Sequence, residues 1–318
     1  MNPVARAEDA VPPLAALAVA VLAVSTSAIL VRWSGAPSLV KAFYRVLFTT
    51  LLLAPFAFTR YGSALRSFSG RDLLVACGSG LALALHFATW FESLRWTSVA
   101  ASVTLVQSQP VFVAVGATLL LDERVGRTKA AGIAVALAGM VLMTTAEGGS
   151  AGPRPLYGNA LAVVGAVMVA VYYLAGRSLR QRVPLVPYVV VVYGVCALAL
   201  FAFVLGEVAT GPRALAPTLF EYPTEEWLLF LGMAVGPGIF GHTVFNWALA
   251  HLEASVVSVS LLGEPVGSTV LALFLLDEVP GVVTLVGGAI VLGGIYLTTR
   301  ARTTDESETD PGVAEATD

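Results

Sequence analysis

Ten apolar runs, separated by short polar punctuation, leave this chain few ways to fold. They cover approximately residues 14–32, 38–59, 73–94, 98–120, 128–146, 157–176, 185–206, 227–249, 253–276 and 282–299. The hydrocarbon core of a bilayer is about 30 Å thick and a helix rises about 1.5 Å per residue, so about 20 apolar residues span it. With no water in that core to satisfy backbone N–H and C=O groups, such runs are restricted to helices. The interruptions are SGAP at 34–37, GGSAGPRP at 148–155 and a longer polar stretch at 206–226, none of which can hold a soluble domain. Only 12% of residues are charged and 57% are hydrophobic, with a mean hydropathy of +0.82. Soluble domains carry roughly 25% charged residues. The expected fold is an all-α integral membrane protein with ten transmembrane helices.

The net charge of −3 is too small to point to a nucleic-acid partner. Cys77 and Cys196 fall inside apolar runs, away from any CxxC or Cys/His spacing, and read as small core residues. No cofactor or metal is expected. Arg6 before the first run and VSTSA at 24–28 leave a signal peptide as a competing reading, but the apolar stretch continues to Trp33 and is long enough to span. Residues 1–13 read as a cytoplasmic segment. Residues 301–318 carry Asp305, Glu306, Glu308, Asp310, Glu315 and Asp318 with no cation after Arg302, and read as an acidic, disordered cytoplasmic tail.

One tetrapeptide, Leu-Leu-Asp-Glu, closes an apolar run twice, at 120–123 and 275–278. Asp122 and Asp277 are 155 positions apart, and the same offset pairs Pro110 with Pro265, Gly132 with Gly287 and Gly139 with Gly294. At an offset of 149, Tyr44 meets Tyr193. The chain therefore reads as a duplication, 14–146 and 157–300, of five helices each. Five is odd, so the copies enter the bilayer from opposite sides, as an inverted repeat. Loop charges agree. Arg60, Arg66 and Arg71 follow the second run, whereas its partner loop has Arg213 among acidic residues; Arg124, Arg127 and Lys129 follow the fourth run, whereas its partner loop has no cation. Arg177, Arg180 and Arg182 after the sixth run outweigh Arg32 and Lys41 around the first loop, and the loop after the third run has Arg95 where its partner after the eighth has no Lys or Arg. The positive-inside rule then places both termini in the cytoplasm of a plasma-membrane protein.

The segments SQPVFVAVGATLLLDE (108–123) and GEPVGSTVLALFLLDE (263–278), each followed by a glycine-bearing helix, resemble the EamA branch of the drug/metabolite transporter superfamily. The resemblance covers roughly residues 14–300. It implies a secondary carrier for metabolites or drugs, often an exporter, working by alternating access. The first copy departs from the commoner Glu-Pro pattern, with Gln109-Pro110 where the second has Glu264-Pro265.

Ionisable groups inside spans cost about 2.5–3.5 kcal/mol each at a helix centre and are the natural functional candidates. Glu264 lies mid-run beside Pro265, whose missing N–H loosens the backbone; it reads as a proton carrier, or else as a paired structural carboxylate. Arg45, next to Tyr44, suits a substrate carboxylate or phosphate or a pairing with Glu264, with snorkelling to the outer interface as the alternative. His86 with Trp90, and His242 with Asn246, are i, i+4 pairs fit for opposing cavity walls or for interhelical hydrogen bonds. Gln109 and Tyr193 complete the candidate set, with Pro110 and Pro265 as helix breaks. Tyr172, Tyr173, Trp96 and Trp227, near run ends, read as interface anchors. Asp122 and Glu123 read as boundary markers or as ion-pair partners for the next helix. The glycines of the fifth and tenth runs read as packing positions within a monomer or homodimer. There is no HExxH, GxSxG or paired intramembrane aspartates, so an enzyme is disfavoured. A channel or a non-transporting receptor is the remaining alternative. The expected partners are a small-molecule substrate such as an amino acid, the bilayer and, for a coupled carrier, protons.

Overall fold

The computed structural model describes residues 12–97, 102, 105–123, 125–146, 153–212, 214–275 and 281–308. Helix occurs at each of the ten expected positions. Prolines set several starts: Pro13 opens α1 (Pro13–Trp33) and Pro155 opens α6 (Pro155–Arg180), where a missing N–H costs nothing. Pro37 and Pro184 immediately precede α2 (Ser38–Arg60) and α7 (Leu185–Thr210). Ser69 caps α3 (Gly70–Trp96) by accepting the Asp72 amide. Then follow α4 (Gln109–Leu120) and α5 (Arg127–Ala146) in the first half. In the second, α8 (Thr224–His251) passes through a π-helical stretch at Ala234–Thr243, α9 (Ala254–Leu275) is interrupted by a turn at 261–262, and α10 covers Val282–Glu308. A matching turn at 107–108 precedes α4, so both fourth helices are broken three residues before their prolines, Pro110 and Pro265. The last helix runs past Arg300 to Glu308, into the stretch expected to be disordered; Ala301, Arg302 and Glu306 are good helix formers and let the backbone continue.

Among the described residues, seven helices, rather than ten, are both long and apolar enough to cross a membrane: Pro13–Val31, Ser38–Arg60, Gly70–Ser93, Pro155–Arg180, Leu185–Thr210, Thr224–His251 and Ala254–Leu275. Gln109–Leu120 and Leu285–Thr298 are apolar but shorter. Part of the fourth run, at 98–101 and 103–104, lies outside the described residues. Large apolar side chains such as Leu119, Leu156, Phe274 and Val282 face outward, as lipid requires. The interior is aromatic and small-residue rich, with Tyr172, Tyr173, Tyr188, Phe230 and Phe245 all fully buried.

The packing pattern exchanges under the duplication. α3 lies on α6 and its counterpart α8 lies on α1; α4 packs on α6 and α9 on α1; α2 meets α7, and α5 meets α10. The last pair is the tightest. A Cβ on Gly132 would stand 2.9 Å from the Gly294 carbonyl, and one on Gly139 would stand 2.7 Å from that of Gly287. As numbers rise along α5 they fall along α10, so these two helices run antiparallel. Gly287 and Gly294 are the repeat partners of Gly132 and Gly139, so the contact is isologous, each glycine meeting the other's counterpart about a local two-fold. These four glycines therefore pack α5 on α10 within one chain.

The first Leu-Leu-Asp-Glu ends α4 with Asp122 at φ 56°, a left-handed conformation that aspartate tolerates better than bulkier residues. That turn sends the Glu123 amide back to the Ala117 carbonyl at 3.2 Å. Its counterpart at 277 lies outside the described residues.

Candidate functional site

Between the halves, α2, α3, α7 and α8 enclose a small cavity of about 10 Å³, lined by Arg45, Val46, Thr49, Leu83, Phe87, Tyr193, Gly238 and His242. That is room for about one water, against roughly 300–1,000 Å³ for a ligand pocket. Gly238 allows the closure: a Cβ there would sit 2.3 Å from Thr49 Oγ1. Thr49 Oγ1 in turn lies 3.1 Å from the Ala234 carbonyl, one of the acceptors of the π-helical stretch. π-helical turns are frequent at functional sites, and this one carries His242 to the cavity wall.

Arg45 is 6% exposed. It points inward and does not snorkel. Its Nη1 donates to Ser27 Oγ at 3.2 Å, and the guanidinium lies 5.2 Å from the Phe87 ring centroid, a cation–π distance. Of five N–H donors in the fork, one is thus engaged by a protein oxygen. Glu264, half-buried at the start of the second segment of α9, is the carboxylate whose charge Arg45 feels, yet the two make no contact ion pair.

The other candidates separate. Tyr193 and His242 line the cavity. Asn246 is fully buried behind them, with Nδ2 2.7 Å from the His242 carbonyl, 2.5 Å from the Tyr172 hydroxyl and 3.2 Å from that of Tyr193. His86 does not form an opposing wall. Its Nδ1 lies 2.9 Å from the Gly165 carbonyl, so it donates across to α6, and its ring stacks on Trp90 at 5.7 Å. Tyr44 also turns away: its hydroxyl donates to the Leu219 carbonyl, and its ring stacks on Phe230 within a cluster that includes Trp227. Gln109 is buried, with Nε2 3.3 Å from Gln107 Oε1. Among the described residues, the buried side-chain polar atoms without a hydrogen-bond partner are Trp90 Nε1, Gln109 Oε1, His242 Nδ1 and Asn246 Oδ1. Each such atom costs about 1–3 kcal/mol.

Tyr172 and Tyr173 are not interface anchors. They are 0% and 1% exposed, because α6 continues to Arg180 and its terminal arginines fold inward. Arg180 Nε donates to the Asn246 carbonyl at 3.0 Å, and Arg177 Nη1 to that of Leu249 at 3.0 Å. Around these arginines the halves are latched by ion pairs: Arg177–Glu123 at 2.7 Å, Lys129–Glu253 at 2.5 Å and Arg182–Asp72 at 2.7 Å. Glu123 thus pairs with α6 rather than with the next helix, and its second oxygen accepts the Ala254 amide that opens α9. At the other end, Glu226 accepts from Ser34 Oγ at 2.6 Å and from the Gly35 amide at 2.5 Å, while Lys41 Nζ caps α1 through the Val31 and Ser34 carbonyls.

Burial raises the Glu123 carboxyl above the usual carboxylate range, and the Arg177 guanidinium pulls it only part of the way back. A folded value above the unfolded one gives stability that is present at acid pH and lost as the pH rises through the raised value. Glu123→Gln removes that titration, so its melting temperature is expected to gain less than the parent's on acidification. A pH series of thermal melts checks this.

Comparison with known proteins supplies the family. The EamA-like transporter family matches residues 12–145 and again 156–300. An uncharacterized transporter of Archaeoglobus fulgidus is 30% identical over 81% of this chain and 86% of its own length. A protein of Streptantibioticus cattleyicolor named a probable terminal-alkyne amino-acid exporter is 30% identical over 62% of each. A solved crystal structure that is 22% identical superposes with a TM-score of 0.75, covering 92% of this chain and 98% of the other, and so shares the fold. With two matches that together take in nearly all the described helices, the chain belongs to the EamA-like transporter family.

Proposed function

We propose that this chain is a secondary carrier that exports a small zwitterion, such as an amino acid, across the plasma membrane by alternating access. The observation that carries this is Arg45, a buried guanidinium with one protein hydrogen bond, at a cavity walled by helices of both halves. Such a fork matches a carboxylate bidentately. The amino-acid exporter among the relatives supports the same substrate class. The antiparallel α5–α10 contact and the exchanging helix pairs support two inverted halves of five helices. In this reading α4, α5 and α10 also cross the bilayer, and both termini are cytoplasmic.

The three cross-half ion pairs then close the cytoplasmic end, and Glu226 with the Ser34–Gly35 turn closes the outer end. In this reading the central cavity, no larger than a water, is contracted in the state described. Transport requires each latch to open in turn while the other holds.

Counterflow in proteoliposomes tests the proposal: vesicles loaded with unlabelled amino acids are expected to accumulate the matching labelled one saturably. Saturable binding without counterflow contradicts a carrier. Glu264 is the proposed coupling group, because a pH difference of one unit supplies about 1.4 kcal/mol per proton and Glu264 is a partly buried carboxylate inside an apolar run, beside Pro265. Glu264→Gln is expected to abolish the response of flux to an imposed pH gradient while leaving exchange at equal pH. An unchanged gradient response removes Glu264 from that role.

A further inference from the structure

The imidazole of His242 is the part of the cavity wall that the protein's own hydrogen bonds leave unused. Its near neighbours are rings, with centroids of Phe87 at 6.1 Å, Tyr172 at 6.3 Å and Phe245 at 6.3 Å. Its Nδ1 is buried with no hydrogen-bond partner among the described residues. Buried polar atoms are nearly always paired, and this unpaired one belongs to a residue that shares a cavity with Arg45. The other polar groups around that cavity are engaged. The Thr49 hydroxyl lies 2.7 Å from the Arg45 carbonyl and 3.1 Å from that of Ala234. The Tyr193 hydroxyl has Thr243 Oγ1 at 3.4 Å and Asn246 Nδ2 at 3.2 Å, and the Gly238 carbonyl accepts from Thr243 Oγ1 at 3.2 Å. Arg45 can only donate. A neutral imidazole, the prevailing form at pH 7, keeps one ring nitrogen with a free lone pair in either tautomer.

We infer that His242 accepts a hydrogen bond from the substrate's ammonium group, so that Arg45 and His242 together select an α-amino acid over a plain carboxylic acid. The inference rests on the carrier reading for its physiological substrate, but the selectivity itself is read from binding, without transport. A zwitterion brings an acceptor and a donor, and the pair meets both: the guanidinium fork takes the carboxylate and the imidazole lone pair takes an ammonium N–H. Because the imidazole is neutral, the ammonium meets no second cation beside Arg45. A cavity with room for about one water sets the groups on its walls a molecule's width apart. That suits an ammonium one carbon away from its carboxylate better than one at the far end of a chain. The cavity must widen for any substrate, but α2 and the π-helical stretch touch through Thr49 and Ala234, so Arg45 and His242 stand on adjoining supports.

Thermal-shift titrations of the purified full chain test this with two matched pairs, leucine against 4-methylpentanoate and phenylalanine against 3-phenylpropionate, in which the acid is the amino acid without its amino group. The parent is expected to bind at least one of the amino acids about tenfold more tightly than its paired acid, and 6-aminohexanoate, an isomer of leucine, no better than the acids. His242→Leu is expected to erase the preference, with amino-acid binding weakened about tenfold and acid binding unchanged. His242→Gln, whose side-chain carbonyl offers a lone pair, is expected to keep most of it. A merely structural histidine would weaken acid and amino acid alike. Where His242→Leu fails to fold, His242→Met replaces it, and the parent's own preference is measured whatever the variants do. Acids binding as tightly as amino acids, 6-aminohexanoate binding as tightly as leucine, no binding of either amino acid, or a preference that survives His242→Leu overturns the inference even where counterflow is intact. A preference that depends on His242, with no amino-acid counterflow, upholds it and overturns the carrier reading instead.

Discussion

Arg45→Met is expected to abolish amino-acid counterflow while raising thermal stability. The guanidinium is 6% exposed and makes one hydrogen bond, to Ser27 Oγ, so its desolvation is offset by little more than that bond and the Phe87 face. Methionine fills a similar volume with no charge to desolvate. Substrate binding loses at least one hydrogen bond to a charged group, about 1.5–3 kcal/mol, or roughly 10–100-fold in affinity. Arg45→Lys keeps the charge without the fork and is expected to fall between the two. Loss of function with a gain in stability is the signature of a residue held in strain by its task. Thermal melts beside counterflow on the three proteins decide it. A Met variant that melts lower, or that still transports, contradicts the assignment.

Gly294→Leu is expected to be the most damaging single change to the fold. A Cβ there would stand 2.4 Å from the Ala136 nitrogen and 2.7 Å from its Cα, both main-chain atoms that cannot move aside without parting α5 from α10. Overpacking typically costs about 1–3 kcal/mol, and a backbone collision belongs at the upper end. The neighbouring Gly293 has nothing within 4 Å of its added Cβ, so Gly293→Leu serves as the control and is expected to change stability by no more than about 0.5 kcal/mol. Equal melting temperatures for the two variants would remove the glycine contact as a determinant of the fold.

Much of this architecture was legible because membrane insertion simplifies the code. Apolar length marks helices, and a polar residue inside a run stands out, as Arg45, His242, Asn246 and Tyr193 do in the sequence. What the runs could not supply was the direction of each side chain. Tyr44 and Tyr193 occupy matching places in the repeat, yet Tyr193 lines the cavity and Tyr44 joins the Phe230–Trp227 cluster, because duplicated halves diverge in their packing. His86 sits one position from its counterpart's register and spends its donor on Gly165. Tyr172 and Tyr173 are buried, and not at the interface, for an electrostatic reason. Arg177 normally signals the membrane boundary, but here it turns inward to Glu123 and Leu249, so the helix end lies farther on than the charge implies. The π-helical stretch had a visible signal in Gly236-Pro237-Gly238, since a proline between two glycines within an apolar run breaks regular α hydrogen bonding. Glu253 and Lys129 gave no hint of each other in sequence, being distant along the chain and joined only by the packing of the halves.

Sided cysteine labelling tests the inverted architecture most directly. In a background with Cys77 and Cys196 replaced by alanine and transport retained, single cysteines are placed at Arg127, the first residue of α5, and at Gly281, just ahead of α10; both positions are exposed. A membrane-impermeant maleimide is expected to reach the first only from the cytoplasm and the second only from outside. Labelling of both from one side would contradict the antiparallel halves, and with them the alternating access built on the cavity between them.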